Sequence, residues 1–266
     1  MSLSTAGLAT GYGTRAVSFD LDVEIPPGSF TVIIGPNACG KSTLLRTLAR
    51  GLKPRAGSVL LDGDDIASLP ARALARRLGL LPQASTAPDG ITVYDLVSRG
   101  RFPHQTALRQ WSREDAVAVE QAMADTGVGE LGERPVDELS GGQRQRVWLA
   151  LVLAQQTPTI LLDEPTTYLD ITHQHEVLEL CDGLRRSGRT LVAVLHDLNQ
   201  AARYGTHLIA MKDGAIIARG KPADIVTENL VEDVFTLRCR VIADPETQSP
   251  LVIPRRSPGA VASTSS

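Results

Sequence analysis

Thr31-Val32-Ile33-Ile34-Gly35-Pro36-Asn37-Ala38-Cys39-Gly40-Lys41-Ser42-Thr43 is the stretch whose reading decides the fold. Thr31 to Ile34 is an apolar run, which predicts a strand buried on both faces, as parallel strands are. A glycine-bearing loop follows, then a helical pattern over Thr43 to Leu52. Strand, glycine loop and helix in this order let backbone N–H groups curl around phosphate, and the helix N-terminus adds positive potential. Gly35 to Ser42 fits G-x-x-x-x-G-K-S, in which Lys41 reaches the β- and γ-phosphates and Ser42 ligates Mg2+. Chance alone would produce these letters on the order of once in 250 such chains, and a glycine-rich turn that only caps a helix is the plainer reading.

Outward from that loop, Thr159-Ile-Leu-Leu-Asp163-Glu164 is a second buried strand, delivering two carboxylates at its C-terminal end, where ligands of α/β sheets sit. Asp163 suits a metal shell and Glu164 an attacking water. Alone, such an ending means only a solvated turn. A third buried strand, Thr190 to Leu195, follows an amphipathic helix, Thr172 to Arg186, and these segments make βαβ units. Upstream, Val17, Phe19, Leu21, Val23 and Ile25 alternate with polar residues, which predicts a half-exposed antiparallel sheet. Between Gln83 and Gln155 the chain reads as a helical insertion, with helices from Ser112 to Thr126 and from Ser140. His207 to Met211 and Ala215 to Ala218 flank a hairpin turn, two short helical stretches reach Phe235, and Arg255 to Ser266 reads as a disordered tail.

Composition narrows the function. The 266 residues carry 27 basic and 30 acidic side chains, a net of −3, so no global field draws the protein to nucleic acid or anionic lipid. The longest apolar run, Val147 to Ala154, is far short of the roughly 20 residues that span a bilayer. Met1 to Thr10 has no secretory pattern, and three scattered cysteines fit a reducing compartment. Only four lysines, Lys41, Lys53, Lys212 and Lys221, stand among the basic residues. One of them occupies the phosphate loop.

Leu139-Ser140-Gly141-Gly142-Gln143 opens a helix with capping-box spacing, Ser140 capping it while Gln143 reaches back, and its two glycines leave N–H groups open to phosphate. At these five residues the sequence resembles the ATP-binding-cassette family, and other family elements follow in the family's order over nearly all of Leu3 to Phe235. The resemblance implies an α/β fold: a P-loop NTPase core with a mostly parallel, RecA-like sheet, an N-terminal antiparallel β subdomain and a helical insertion at about 84–157. It puts the ATPase domain at 3–240 and a C-terminal extension at 241–266. It implies ATP as substrate with Mg2+. Tyr12 would stack on adenine, while Gly35, Pro36, Asn37, Ala38, Cys39, Gly40, Lys41, Ser42 and Thr43 cradle phosphates. Ser42, Gln83 and Asp163 would hold Mg2+, and Glu164, His196 and Gln83 would serve catalysis. Ser140, Gly141, Gly142, Gln143 and Asp170 would act across a head-to-tail homodimer in which each ATP lies between two chains. Tyr12 as packing, or Gln83 and His196 as ordinary hydrogen-bonders, are the plainer readings of single residues.

Ser98 to His104, Trp148 to Ala150, Thr166 to Ile171 and His196 to Arg203 are similar to ATPase subunits of ferric-siderophore importers, with haem and cobalamin importers as relatives. That likeness implies a polytopic permease docking on Ile91 to Arg101, indirect work with a substrate-binding protein, no nucleic-acid partner, and a peripheral place on the cytoplasmic face of the inner membrane. Packing of the insertion is the plainer reading of Ile91 to Arg101. A soluble clamp for DNA repair, translation or iron–sulfur assembly is the alternative; the single cassette without heptads speaks against it. Glu164 speaks against a non-hydrolysing nucleotide switch. Ala38 is harmless only at negative φ. Cys39, near a helix N-terminus, is expected to favour thiolate and to be open to alkylation. His173 and His175 face different sides of their helix, which suits surface or dimer contacts better than metal.

Overall fold

The computed structural model describes residues 2–83, 86–106 and 111–256. In chain order the strands are β1 (Leu3–Tyr12), β2 (Arg15–Leu21), β3 (Glu24–Ile25), β4 (Phe30–Ile34), β5 (Ala56–Leu61), β6 (Asp64–Asp65), β7 (Leu78–Leu81), β8 (Thr159–Asp163), β9 (Thr190–Val194), β10 (His207–Lys212), β11 (Ala215–Gly220), β12 (Cys239–Ala243) and β13 (Pro250–Pro254). The α-helices are α1 (Lys41–Leu48), α2 (Ala71–Ala75), α3 (Val93–Ser98), α4 (Arg113–Asp125), α5 (Gly141–Ala154), α6 (Ile171–Arg186), α7 (Leu198–Tyr204), α8 (Pro222–Ile225) and α9 (Glu228–Phe235).

Every residue of β4, β8 and β9 is buried. They lie inside a sheet of order β11-β10-β4-β9-β8-β7, parallel apart from β11, which pairs antiparallel with β10. Alternate side chains of a strand face opposite ways, so the apolar runs feed two cores. Val32, Ile34, Ile160, Leu162 and Ala193 pack with α5, α6 and α7 on one face. Ile33, Leu161, Val192 and Val194 meet α1 and the antiparallel strands on the other. The result matches the expected α/β core and sends the C-terminal ends of β4, β8 and β9 to one edge, where the Gly35 loop, Asp163-Glu164 and His196 emerge.

The antiparallel sheet runs β2-β1-β5-β6, with β3 also on β1. The simple alternation expected from Val17 to Ile25 breaks here. Asp20 takes a left-handed φ of 51°, which reverses the phase: Ser18 and Leu21 point inward and Phe19 is 69% exposed. Helix α1 also differs from the expected Thr43 to Leu52. It begins at Lys41 and stops at Leu48, because Arg50 enters the left-handed region and the amides of Gly51 and Leu52 turn back to the Arg46 carbonyl.

In the insertion, α4 and α5 carry full capping boxes from Ser112 and Ser140. Residues Ile91 to Arg101, read from sequence only as a docking or packing segment, contain α3, capped by Thr92. Arg101 is buried; it donates to Asp115 at 2.8 Å, to the Ala154 carbonyl at 2.7 Å and to Gln156 at 2.9 Å. Burial pulls the Asp115 carboxyl upward, but Arg101 and Ser112 outweigh it and hold it below the usual range. Arg101→Ala leaves that carboxylate buried and unpaired, so unfolding in urea should show a loss of about 3 kcal/mol. A carboxylate whose pKa is lowered on folding stabilises above its unfolded pKa and loses that contribution as pH falls through its folded value, so the deficit should shrink in acid.

Strand β12 runs across position 240, where the sequence reading ends the ATPase domain, and pairs with β13. Asn199 of α7 clasps Val252, donating to its carbonyl at 3.2 Å and accepting from its amide at 2.7 Å. The tail expectation for Arg255 to Ser266 lies, from 257 onward, outside the described residues. Among the described residues no helix is long and apolar enough to cross a membrane.

Candidate active site

A cleft of about 310 Å³ opens at the carboxyl edge of the parallel sheet. Tyr12, Arg15, Val17, Asn37, Ala38, Gly40, Lys41, Ser42, Thr43, Glu164 and His196 line it. Tyr12 ends β1, half exposed, and pairs across the hairpin with Arg15. The loop from Gly35 is tight: a Cβ at Gly35 would stand 2.1 Å from the Met211 carbonyl oxygen, and Gly40 has φ 107°. Only glycine is free of strain in that arrangement. Lys41 is 5% exposed, and its ammonium donates to the Gly35 and Pro36 carbonyls at 2.8 Å each.

Among the described α-helices of eight or more residues, α1 alone starts without a side-chain cap. Helices α3, α4, α5, α6, α7 and α9 all have a side-chain cap, from Thr92, Ser112, Ser140, Asp170, Asp197 and Thr227. Helix α1 has none, and its first turn holds no acidic residue. Its leading N–H groups therefore face the cleft without a side-chain acceptor, the arrangement that favours an anion.

Glu164 sits at φ 57°, a strained left-handed position one residue past β8. Its Oε1 lies 2.7 Å from His196 Nε2, and its Oε2 accepts from the Thr167 hydroxyl at 3.2 Å. Burial pulls the Glu164 carboxyl upward, but hydrogen bonds from His196, Gln83 and Thr167 outweigh it and hold the carboxyl below the usual glutamate range. It is thus ionised at neutral pH and can accept a proton. Asp163 is fully buried, and neither carboxylate oxygen has a hydrogen-bond partner. Burial pushes its carboxyl above the usual range, against the pull of Ser42 and Arg46.

The structure therefore gathers Tyr12, the phosphate loop, Glu164 and His196 on one cleft, with Gln83 bonded to Glu164 and Asp163 beneath. Ser140, Gly141, Gly142, Gln143 and Asp170 do not line it. Ser140 and Gln143 form the expected reciprocal cap, at 3.2 and 3.1 Å. Asp170 caps α6 through the His173 amide at 2.9 Å and also meets His173 Nδ1 at 2.7 Å. His175 bonds to the Tyr204 hydroxyl. Beside this capping helix, Tyr168 and Ile171 are more than four-fifths exposed.

Two expectations at the loop need correction. Cys39 is buried, 5% exposed, and burial raises its thiol above the ordinary range despite Lys41 nearby, so the favoured thiolate and easy alkylation do not hold. Ala38 does not have the negative φ that would make its methyl harmless; φ is 62°. Ala38→Gly should therefore raise the urea-unfolding stability by about 1 kcal/mol, the relief of left-handed strain outweighing the added freedom of the unfolded chain. Sequence reasoning missed Arg15 and Val17, which the Tyr12 hairpin turns into the cleft, and Thr167, three residues after Glu164. The cross-strand position opposite Tyr12 was the available signal for Arg15.

The ABC transporter family model matches residues 19–167. The chain is 56% identical to the ferric enterobactin transport ATP-binding protein FepC of Escherichia coli (strain K12), over 93% of this chain and 92% of that one. It is 46% identical to the iron(3+)-hydroxamate import ATP-binding protein FhuC of Bacillus subtilis (strain 168), over 95% and 94%. Among solved structures, an inward-facing ABC transporter of metal-chelate type superposes with a TM-score of 0.81 at 26% identity, covering 96% of this chain and 98% of that one. The dimeric ABC transporter cassette MJ0796 superposes with a TM-score of 0.74 at 28% identity, over 82% and 98%.

Proposed function

The chain belongs to the ABC transporter family as an ATPase, and from that premise we propose that it drives uptake of an iron(III)-siderophore or related iron chelate through a partner permease. The observation that carries the reading is the union of Lys41, Glu164 and His196 on one cleft, while the Ser140 helix end lies outside it. A single chain then offers one half of each site, and a second copy, facing head to tail, brings its Ser140 to Gln143 and Asp170. Exposed Tyr168 and Ile171, beside Asp170, suit that contact.

In the proposed reaction the base of ATP stacks on Tyr12, and the phosphates lie on the uncapped first turn of α1, with residues 35–43 wrapped around them. Lys41 keeps two N–H bonds on its own loop, leaving its third proton to the β- and γ-phosphates. Glu164 orients the attacking water and takes up its proton. His196, bonded to Glu164, holds that carboxylate in place, and its role in this reading is to sense the γ-phosphate. Among the described residues no three His, Cys, Asp or Glu side chains form a metal cluster. The donor set nevertheless fits Mg2+: the Ser42 hydroxyl, the Gln83 amide and the orphaned oxygens of Asp163 are hard oxygen ligands, with phosphate and water to complete the shell. When bound there, Mg2+ neutralises charge that develops on the phosphates. Loss of the γ-phosphate removes contacts that hold the two chains closed.

A second cleft, of about 390 Å³, is lined by Tyr94, Asp95, Ser98, Arg99, Phe102, Gln105 and Trp111, and Phe102 and Trp111 are exposed. It lies on and around α3, the segment after Gln83, and suits an apolar helix of the permease. In this reading the chain sits peripherally on the cytoplasmic face of the inner membrane, and a substrate-binding protein takes part only through the permease. The test is co-purification with a polytopic permease, together with ATP-dependent uptake of labelled ferric siderophore. Phe102→Ala with Trp111→Ala should abolish both and spare basal ATP hydrolysis. Recovery on ribosomes or DNA instead would favour the soluble clamp.

A further inference from the structure

Arg46 stands in α1 one turn beyond Ser42, so both side chains share a helix face. Its Nε lies 3.4 Å from Asp163 Oδ2; the Asp163 side chain is 0% exposed and that of Arg46 37%. Two features distinguish this pair from Arg101–Asp115, where the guanidinium is buried and the carboxylate fully engaged. Neither Asp163 oxygen accepts a hydrogen bond of good geometry, Ser42 and Arg46 standing near without closing one, and the Arg46 side chain keeps a route to solvent. A structural ion pair in the interior closes its hydrogen bonds, because an unspent lone pair there is costly. Asp163 and Arg46 do not close theirs.

We propose that Arg46 is a stand-in cation: it supplies the positive charge that buried Asp163 needs in the nucleotide-free chain and yields when a divalent ion arrives with the nucleotide. The proposal rests on the nucleotide-site reading above. Two cations that share one carboxylate oppose each other, and the coupling is reciprocal: what the metal costs the Arg46 contact, Arg46 costs the metal. Arg46 thereby holds down metal affinity and lets the site empty between turnovers. Because Arg46 is partly exposed the coupling is moderate, about fivefold, the most that a solvent-screened pair gives.

The experiment titrates Mn2+ into the full chain with a non-hydrolysable ATP analogue and follows free Mn2+ by electron paramagnetic resonance. Arg46→Gln should bind Mn2+ about fivefold more tightly than the unmodified chain. Its melting temperature without metal and nucleotide should fall, and Mn2+ with the analogue should raise it by more than in the unmodified chain. Equal or weaker Mn2+ binding overturns the proposal. In an Asp163→Asn background the stand-in has nothing to neutralise, so Arg46→Gln should leave the melting temperature unchanged there. Should Arg46→Gln alone fail to fold, rescue by Asp163→Asn supports the proposal, and failure of that rescue overturns it. If the unmodified chain does not bind the analogue even without metal, the nucleotide reading itself falls, an outcome distinct from the failures above.

Discussion

Glu164→Gln should cut ATP turnover by about 10²–10⁴-fold, the usual worth of a positioned general base, while nucleotide binding survives. The substitution is nearly isosteric, so the strained turn at φ 57° and the Thr167 contact can persist. What disappears is the basicity. In the native chain the hydrogen bonds of His196, Gln83 and Thr167 hold the Glu164 carboxyl below the usual range, which keeps it ionised and able to accept a proton across the neutral range. An amide cannot do so. The ATP-bound state is then no longer discharged, so a dimer should accumulate with ATP and not with ADP, read as a doubled mass in size-exclusion chromatography with light scattering. Unchanged hydrolysis would sink the role given to Glu164. A monomer in every nucleotide state would sink the two-chain site.

The distinction between what was and was not legible in the sequence follows the range of the forces involved. Strands β4, β8 and β9 are buried on both faces, so hydrophobicity alone announced them, and the residues that follow them stood out as a candidate site because strand ends are where an open sheet meets ligands. The cap from Ser140 was legible because it acts over three residues. Phe19 was misread, since one left-handed residue, Asp20, inverts the alternation and nothing about an aspartate requires that φ. The clasp of β13 by Asn199 spans 53 positions, beyond any local pattern. Arg46 escaped notice for a related reason: its partner, Asp163, is brought to it by the sheet. Cys39 shows two local rules in conflict. A helix N-terminus favours thiolate and burial opposes it, and only the fold reveals that burial wins.

Lys41→Arg, conservative by charge, should lower nucleotide affinity by about 100-fold, equivalent to ~2.7 kcal/mol. The native ammonium is 5% exposed and spends two of its three protons on the Gly35 and Pro36 carbonyls at 2.8 Å. That geometry suits a compact, rotatable donor. A guanidinium is planar and larger, and its fixed fork cannot grip two carbonyls of one tight loop and still reach between phosphates. Accommodating it costs about 1–3 kcal/mol in overpacking, because Met211 and Cys39 already crowd Gly35 and leave the loop little room to widen. The sequence itself sharpens the argument. In a chain with 27 basic residues and only four lysines, arginine is the prevailing cation, yet this position keeps lysine. Titration of a fluorescent ATP analogue measures the loss, and a thermal melt without nucleotide separates it from unfolding. Wild-type affinity in Lys41→Arg would mean that any cation serves here and that the uncapped N–H groups of α1 carry the phosphate alone.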